Sequence, residues 1–133
     1  MFCRCLKDKD NIVRYCSPAR YDKNLNKAIP DAFQLKHDEE YLSCFWKEFY
    51  KKNDLKNIYK EAKDKLVVKE TGGFAILKIQ NIKKIGLNNG INNIRAKHLR
   101  MFKSYSGIYN TTNDFRFIRD LALAANMEAL DKI

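Results

Sequence analysis

Residues 31–50, DAFQLKHDEEYLSCFWKEFY, hold the only tryptophan of the chain, Trp46, with Phe33, Tyr41, Phe45, Phe49 and Tyr50 around it. Large rings remove much apolar area from water, so the core is expected to form here. Asp38 is placed to cap a helix, and Glu39 and Glu40 suit a helix N-terminus. Tyr41, Phe45 and Phe49 then recur every four residues, with Leu42, Trp46 and Tyr50 in a parallel row. That spacing predicts a helix with one broad apolar face. Ala32 to Leu35 reads as a short strand before it.

On the N-terminal side, residues 1–10 are polar and expected to be frayed or an edge. Ile12-Val13-Arg14-Tyr15 is a β-type run that Ser17-Pro18 ends. Tyr21 to Pro30 reads as a long loop. On the C-terminal side, Asp54 is placed to cap a second helix with Leu55, Ile58, Tyr59 and Ala62 inward. Leu66-Val67-Val68 and Phe74 to Ile79 read as strands joined by a hairpin at Gly72-Gly73, the second run being central. Gly86 to Gly90 reads as a turn. Ile91 to Lys103 fits a helix with Ile94, His98, Met101 and Phe102 inward, with a strand open as the alternative for part of it. Ser104 to Asn110 is a strand or a loop. From Thr112 or Asn113, helical spacing runs through Phe115, Ile118, Leu121 and Ala125 to Leu130. These elements predict one α+β domain over 1–133, a small mixed or antiparallel sheet packed against helices, with a C-terminal helix.

At 133 residues, 45% hydrophobic and 12% aromatic, the chain is long enough for one real core. No apolar run approaches the roughly 20 residues of a membrane helix. The start, MFCRCLKDKD, turns charged at once and lacks the apolar region of a secretory signal, which predicts a cytoplasmic protein without a membrane partner. Cys3, Cys5, Cys16 and Cys44 are then expected to be reduced. Their spacing does not form the paired units of structural zinc.

The formal net charge is +10, and residues 66–110 hold eight cations against one acid. A clustered positive field attracts polyanions, because neutralising phosphates releases counterions. Lys78, Lys83, Lys84, Arg95, Lys97, Arg100 and Lys103 lie in this block, with Tyr105 and Tyr109 as rings able to stack on bases. Phe102 is expected to point inward, and His98 to be a core histidine. The competing explanation is a solvated amphipathic helix.

Two weaker constellations point to catalysis. His37 stands beside Asp38, Glu39 and Glu40, with Ser43 and Cys44 close in sequence, a composition that suits a general base and a nucleophile. Helix capping explains the same acids. Pro30-Asp31 with Glu61-Ala62-Lys63 matches, as a string, the PD…ExK pattern of one restriction-nuclease fold. Asp31 and Glu61 would there hold magnesium for phosphodiester hydrolysis. That pattern belongs on strands, whereas Glu61 and Lys63 fall on a predicted helix. There is no phosphate-binding glycine loop, no H-E-x-x-H and no G-x-S-x-G.

Arg14-Tyr15, Ala32-Phe33, Tyr41-Leu42-Ser43 with Trp46, and Ser106-Gly107-Ile108 resemble a pattern of small uncharacterised bacterial proteins. The resemblance implies a source in bacteria or their mobile elements and no activity. Three readings follow. The first is a basic protein that binds the phosphate backbone of RNA or DNA with low base specificity and needs no cofactor. The second is a small hydrolase or transferase on nucleic acid or nucleotide, toxin-like or defence-associated, with magnesium in its nuclease form. The third is a non-enzymatic module docking an acidic protein.

Overall fold

A computed structural model describes residues 5–52, 54–99 and 102–133 of the chain. In chain order the strands are β1 (Asn11–Cys16), β2 (Tyr21–Asp22), β3 (Lys27–Ala28), β4 (Tyr41–Trp46), β5 (Gly73–Lys78), β6 (Arg95–His98), β7 (Tyr105–Tyr109) and β8 (Asn126–Ala129). The helices are α1 (Leu55–Lys65), α2 (Ile79–Asn88) and α3 (Phe115–Ala124). Six strands form one sheet in the order β6-β7-β4-β1-β5-β8, and each neighbouring pair is antiparallel. β2 and β3 form a separate small hairpin. The fold is α+β, as the sequence predicts.

The sheet has a core on each face. Ile12, Leu42, Leu77, Ile108 and Met127 point to one side and pack with Ile79 and Ile82 of α2 and Phe117, Ile118 and Leu121 of α3. Ala32 and Phe33, from the 3₁₀ turn Pro30–Phe33, join this side. Val13, Phe45 and Phe74 point the other way, onto Ile58 and Ala62 of α1 and Leu130 near the C-terminus. Adjacent residues of a strand thus serve opposite cores, which is the two-residue period of a β-strand. Among the described residues no helix is long and apolar enough to cross a membrane.

The ring-rich stretch departs from its expected helix. Residues 41–46 form β4, pairing on one side with β1 (Val13 with Phe45) and on the other with β7 (Leu42 with Ile108). A spacing of four is also an even number, so Tyr41 and Phe45 share a face in a strand as well as in a helix. Two buried faces make both registers apolar and erase the alternation that marks a half-exposed strand. Asp38, Glu39 and Glu40 lie before the strand in a turn and cap no helix.

Of the expected helix over 91–103, Arg95–His98 is the strand β6, the alternative that the spacing left open for part of the stretch; β6 pairs with β7. Arg100 and Met101 lie outside the described residues. Leu66-Val67-Val68 is not a strand, and Gly72-Gly73 forms no hairpin, because β5 starts at Gly73 and pairs with β1 and β8. Helix α2 covers a stretch that the sequence left unassigned and runs through Gly86 to Asn88. Gly90 then takes a left-handed φ of 79°, a conformation that suits the end of a helix. The C-terminal helix stops at Ala124, where Asn126 and Glu128 outward and Met127 and Ala129 inward switch the period from helix to strand.

Asp54 and Asp114 cap α1 and α3 by accepting from the backbone N–H of Lys56 and Arg116. Residues 5–10, expected to fray, are held at the sheet edge. Leu6 is buried and donates its N–H to the Ala96 carbonyl, and Cys5 bridges to Lys97. Cys16 and Cys44 are free and buried, whereas Cys5 is disulfide-bonded, against the expectation that all four cysteines are reduced.

Candidate nucleic-acid interface

The α1-side face of the sheet is covered unevenly. α1 packs over β1, β5 and the Phe45 end of β4. Further out, on β4, β7 and β6, the register sets Tyr41 beside Tyr109 and Arg95, Ser43 beside Gly107 and Lys97, and Phe45 beside Tyr105. Tyr41, Ser43, Lys97, Tyr105 and Tyr109 are half-buried and Arg95 is exposed, so this portion of the sheet reaches solvent.

Gly107 shapes the surface. A Cβ at this position would lie 2.5 Å from Cδ2 and 2.7 Å from Cγ of Tyr41. The Tyr41 ring therefore lies down on the Gly107 backbone rather than standing off the sheet. Its centroid is 5.0 Å from that of Tyr109, with the planes tilted by 41°. Phe102, expected to point inward, is exposed and sets its ring edge-on to Tyr105 at 6.0 Å. The four rings, three half-buried and Phe102 exposed, form an aromatic surface that continues from the sheet onto the turn before β7.

Cations lie among these rings. The Lys97 ammonium is 4.8 Å from the Tyr109 centroid. Lys65, the last residue of α1, reaches 4.5 Å from the Phe102 centroid and 5.5 Å from that of Tyr105. Such distances fit cation–π attraction. Lys103 is exposed in the turn, where its φ is 46°. Opposite them, Asp38, Glu39 and Glu40 line a cavity of about 260 Å³ with Tyr41 and Tyr105. Burial, together with the neighbouring Tyr105 and Tyr109 phenols and Glu40, holds the Tyr41 phenol above its usual pKa. Burial and Glu40 do the same to Tyr109. Both hydroxyls stay protonated and able to donate at neutral pH.

The structure brings together only part of the basic block. Arg95, Lys97, Lys103, Tyr105 and Tyr109 share the open face or its margin. Lys83 and Lys84 are on α2, across the sheet, and Lys83 is paired with Asp8 at 2.8 Å. Lys78 ends β5 and is half-buried, with β4 and β1 between it and β7. Arg100 is outside the described residues. Sequence reasoning missed Tyr41 and Lys65. The alternation Tyr105-Gly107-Tyr109 signals one strand face, whereas Tyr41 was hidden by its helix-compatible spacing.

The catalytic candidates are dispersed. His37 and Glu40 are exposed in the turn before β4, and Cys44 is buried on the α2–α3 side while Ser43 faces the other way. Asp31 is exposed on the Pro30–Phe33 turn, on the α3 side of the sheet, whereas Glu61 is buried on α1 at the other side. The sheet separates the two carboxylates that the nuclease pattern requires on one metal.

Glu61 has a structural role. Its Oε1 accepts from the Tyr50 hydroxyl at 2.6 Å, the Ser104 hydroxyl at 2.6 Å and the Ser104 N–H at 3.3 Å, which joins α1 to the turn before β7. Desolvation and then Glu61 push the Tyr50 phenol far above its usual range. His98 is buried, as expected, with Nε2 bonded to the Lys103 carbonyl and its ring against Trp46 and Phe49. Comparison with protein-family models, with curated proteins and with solved structures finds no match.

Proposed function

We propose that the protein binds nucleic acid through the open β4–β7–β6 face, with Arg95, Lys97, Lys103 and Lys65 contacting phosphates. The observation that carries this reading is the interleaving of half-buried and exposed rings with ammonium groups, Lys97 over Tyr109 and Lys65 over Phe102 and Tyr105. A phosphate backbone takes up such cations by releasing its counterions, and rings beside them can meet bases. The cations on α2 are left out, so the working face is smaller than the basic block of the sequence. No residue of this face is read as a nucleophile, and the proposed activity is binding.

Anisotropy of a labelled oligonucleotide, titrated at several salt concentrations, tests it. Four phosphate contacts correspond to a slope of log affinity on log salt of about −3. Arg95→Ala with Lys97→Ala should weaken binding and flatten that slope by about one to two, whereas Lys83→Ala with Lys84→Ala should leave both nearly unchanged. Absence of binding at low salt, or an affinity insensitive to salt, would overturn the proposal.

A further inference from the structure

We infer that the open face takes a single strand with its bases turned towards the sheet. This rests on the nucleic-acid reading above and names the form of ligand that the same face accepts. Three observations carry it.

The first is the attitude of Tyr41. Its ring rests against the Gly107 backbone so closely that a Cβ there would lie 2.5 Å from Cδ2 and 2.7 Å from Cγ, so one side of the ring is spent on the sheet. The residue is half-buried rather than enclosed, so part of its surface remains open to solvent. A ring lying along a sheet offers a plane to an unpaired base. A duplex keeps its base faces stacked inside and shows only edges and phosphates, so it cannot use such a plane.

The second is the extent of the aromatic surface. Tyr105 and Tyr109 are on one face of β7 and four residues apart, roughly 13 Å at strand rise. Tyr41 lies on Gly107, which stands between them in β7, and Phe102 extends the surface beyond Tyr105. Successive rings at this scale suit successive bases of an extended strand.

The third is the division of charge. Arg95 and Lys97 are on the edge strand β6, and Lys65 reaches the Phe102 and Tyr105 rings from α1. Asp38, Glu39 and Glu40 stand with Tyr41 and Tyr105 around the cavity on the β4 side. Phosphates are repelled from the carboxylate side and drawn to the cationic side. A strand obeying both must place its backbone over β6 and the end of α1 and its bases over Tyr41, Tyr105 and Tyr109. Carboxylates near the bases are compatible with this, because they accept from exocyclic amino groups.

The test compares a fluorescein-labelled mixed-sequence 12-mer as a single strand and as a duplex, at one salt concentration, by anisotropy. The wild type should bind the single strand at least tenfold more tightly. Tyr41→Leu should lose about 5- to 150-fold for the single strand, the range of one lost base stack, and stay within twofold for the duplex. Tyr41→Phe, which keeps the ring and removes the hydroxyl, should retain single-strand affinity. Trp46 emission verifies that each variant is folded. Equal binding of both forms, or a Tyr41→Leu loss shared by both, overturns the single-strand inference and leaves the nucleic-acid reading standing. Failure of both forms to bind overturns both.

Discussion

Gly107→Ala, measured with and without Tyr41→Ala, tests the geometry on which the open face depends. Alanine in place of glycine within a strand should by itself favour the fold by about 0.5–1 kcal/mol, since glycine loses more backbone freedom on folding. At Gly107 the new methyl would meet the Tyr41 ring at 2.5 and 2.7 Å and the Tyr109 Cε1 at 3.2 Å. Forcing a ring off its seat carries an overpacking cost of about 1–3 kcal/mol. The net expectation for Gly107→Ala is a loss of about 1–2 kcal/mol, or roughly 4–7 °C in Tm for a chain of this size. Once Tyr41 is alanine, only the Tyr109 contact remains, and a ring edge can give by a few tenths of an ångström. Gly107→Ala should then be neutral or slightly stabilising, so the coupling between the two positions is about 1–3 kcal/mol. Urea unfolding followed by the single Trp46, whose ring packs 5.4 Å from His98 in the core, measures all four corners of the cycle. Effects that add to within about 0.5 kcal/mol would show that the ring does not rest on Gly107. The proposed base plane would fall with it.

Three further outcomes follow from the buried polar groups. Glu61→Ala leaves the fully buried Ser104 and the Tyr50 hydroxyl without their acceptor and should lower the urea-derived stability by about 2–4 kcal/mol, whereas Glu61→Gln, which keeps an acceptor oxygen, should cost less than half of that; equal losses would contradict the assigned network. Arg14 donates Nε to the Ala32 carbonyl at 2.6 Å and Nη1 to the Ser43 carbonyl at 2.7 Å, and burial lowers its pKa. Arg14→Lys cannot reach both carbonyls and should lose about 2–4 kcal/mol in the same unfolding assay, while a loss under 1 kcal/mol would mean that the guanidinium is not the tie. Burial pushes the Cys16 thiol up to about 11 and the Cys44 thiol up to about 12. Folded values above the unfolded one near 9 mean that this stability is complete below pH 9 and is lost as pH rises from there towards 11 and 12. Stability measured from pH 8.5 to 11 should fall about 2 kcal/mol less for each thiol replaced by alanine, and parallel curves for wild type and variants would refute the shifts.

How much of this was legible in the sequence depends on how many faces each element buries. α1 and α3 have one wet side, so the 3.6-residue period shows in the sequence for both; the cap Asp54 is legible as well, whereas α3 is capped by Asp114 rather than Thr112 or Asn113 and ends at Ala124 rather than Leu130. β4 carries the ring residues Tyr41 and Phe45 four apart, a spacing that a strand and a helix share. In β4 both registers are apolar because each face meets a core. Local pattern could not separate the two; only pairing with β1 and β7 does. α2 was missed for a related reason. Its Gly86 reads as a turn residue, yet it sits inside the helix because a Cβ there would lie 2.4 Å from the Ile94 side chain. For the candidate site, Tyr105, Tyr109, Arg95 and Lys97 were visible as rings and cations in one charged block. Their grouping without Lys83 and Lys84 was not visible, since it comes from an antiparallel register and a helix that crosses to the other face.

The same physics explains why the open face and the core use one stretch of chain. β4 lies between β1 and β7, and its Leu42 and Cys44 join the core that α2 and α3 complete on one side. On the other side α1 spans only 11 residues, about 16 Å, and covers the Phe45 end. Alternation therefore assigns Leu42 and Cys44 to the core and divides Tyr41, Ser43 and Phe45 between a covered end and an open one. The buried Arg14 fixes that division, because its bond to the Ser43 carbonyl holds β4 between Phe45 in the core and Tyr41 on Gly107. A buried charge is costly, and that cost is offset only while both carbonyl partners stay in place. Displacing β4 by one residue would expose Phe45 and Tyr41 to the wrong faces at once. The aromatic surface is thus held by the register of the central strands and not by its own loops, which is the rigidity that a stacking platform requires.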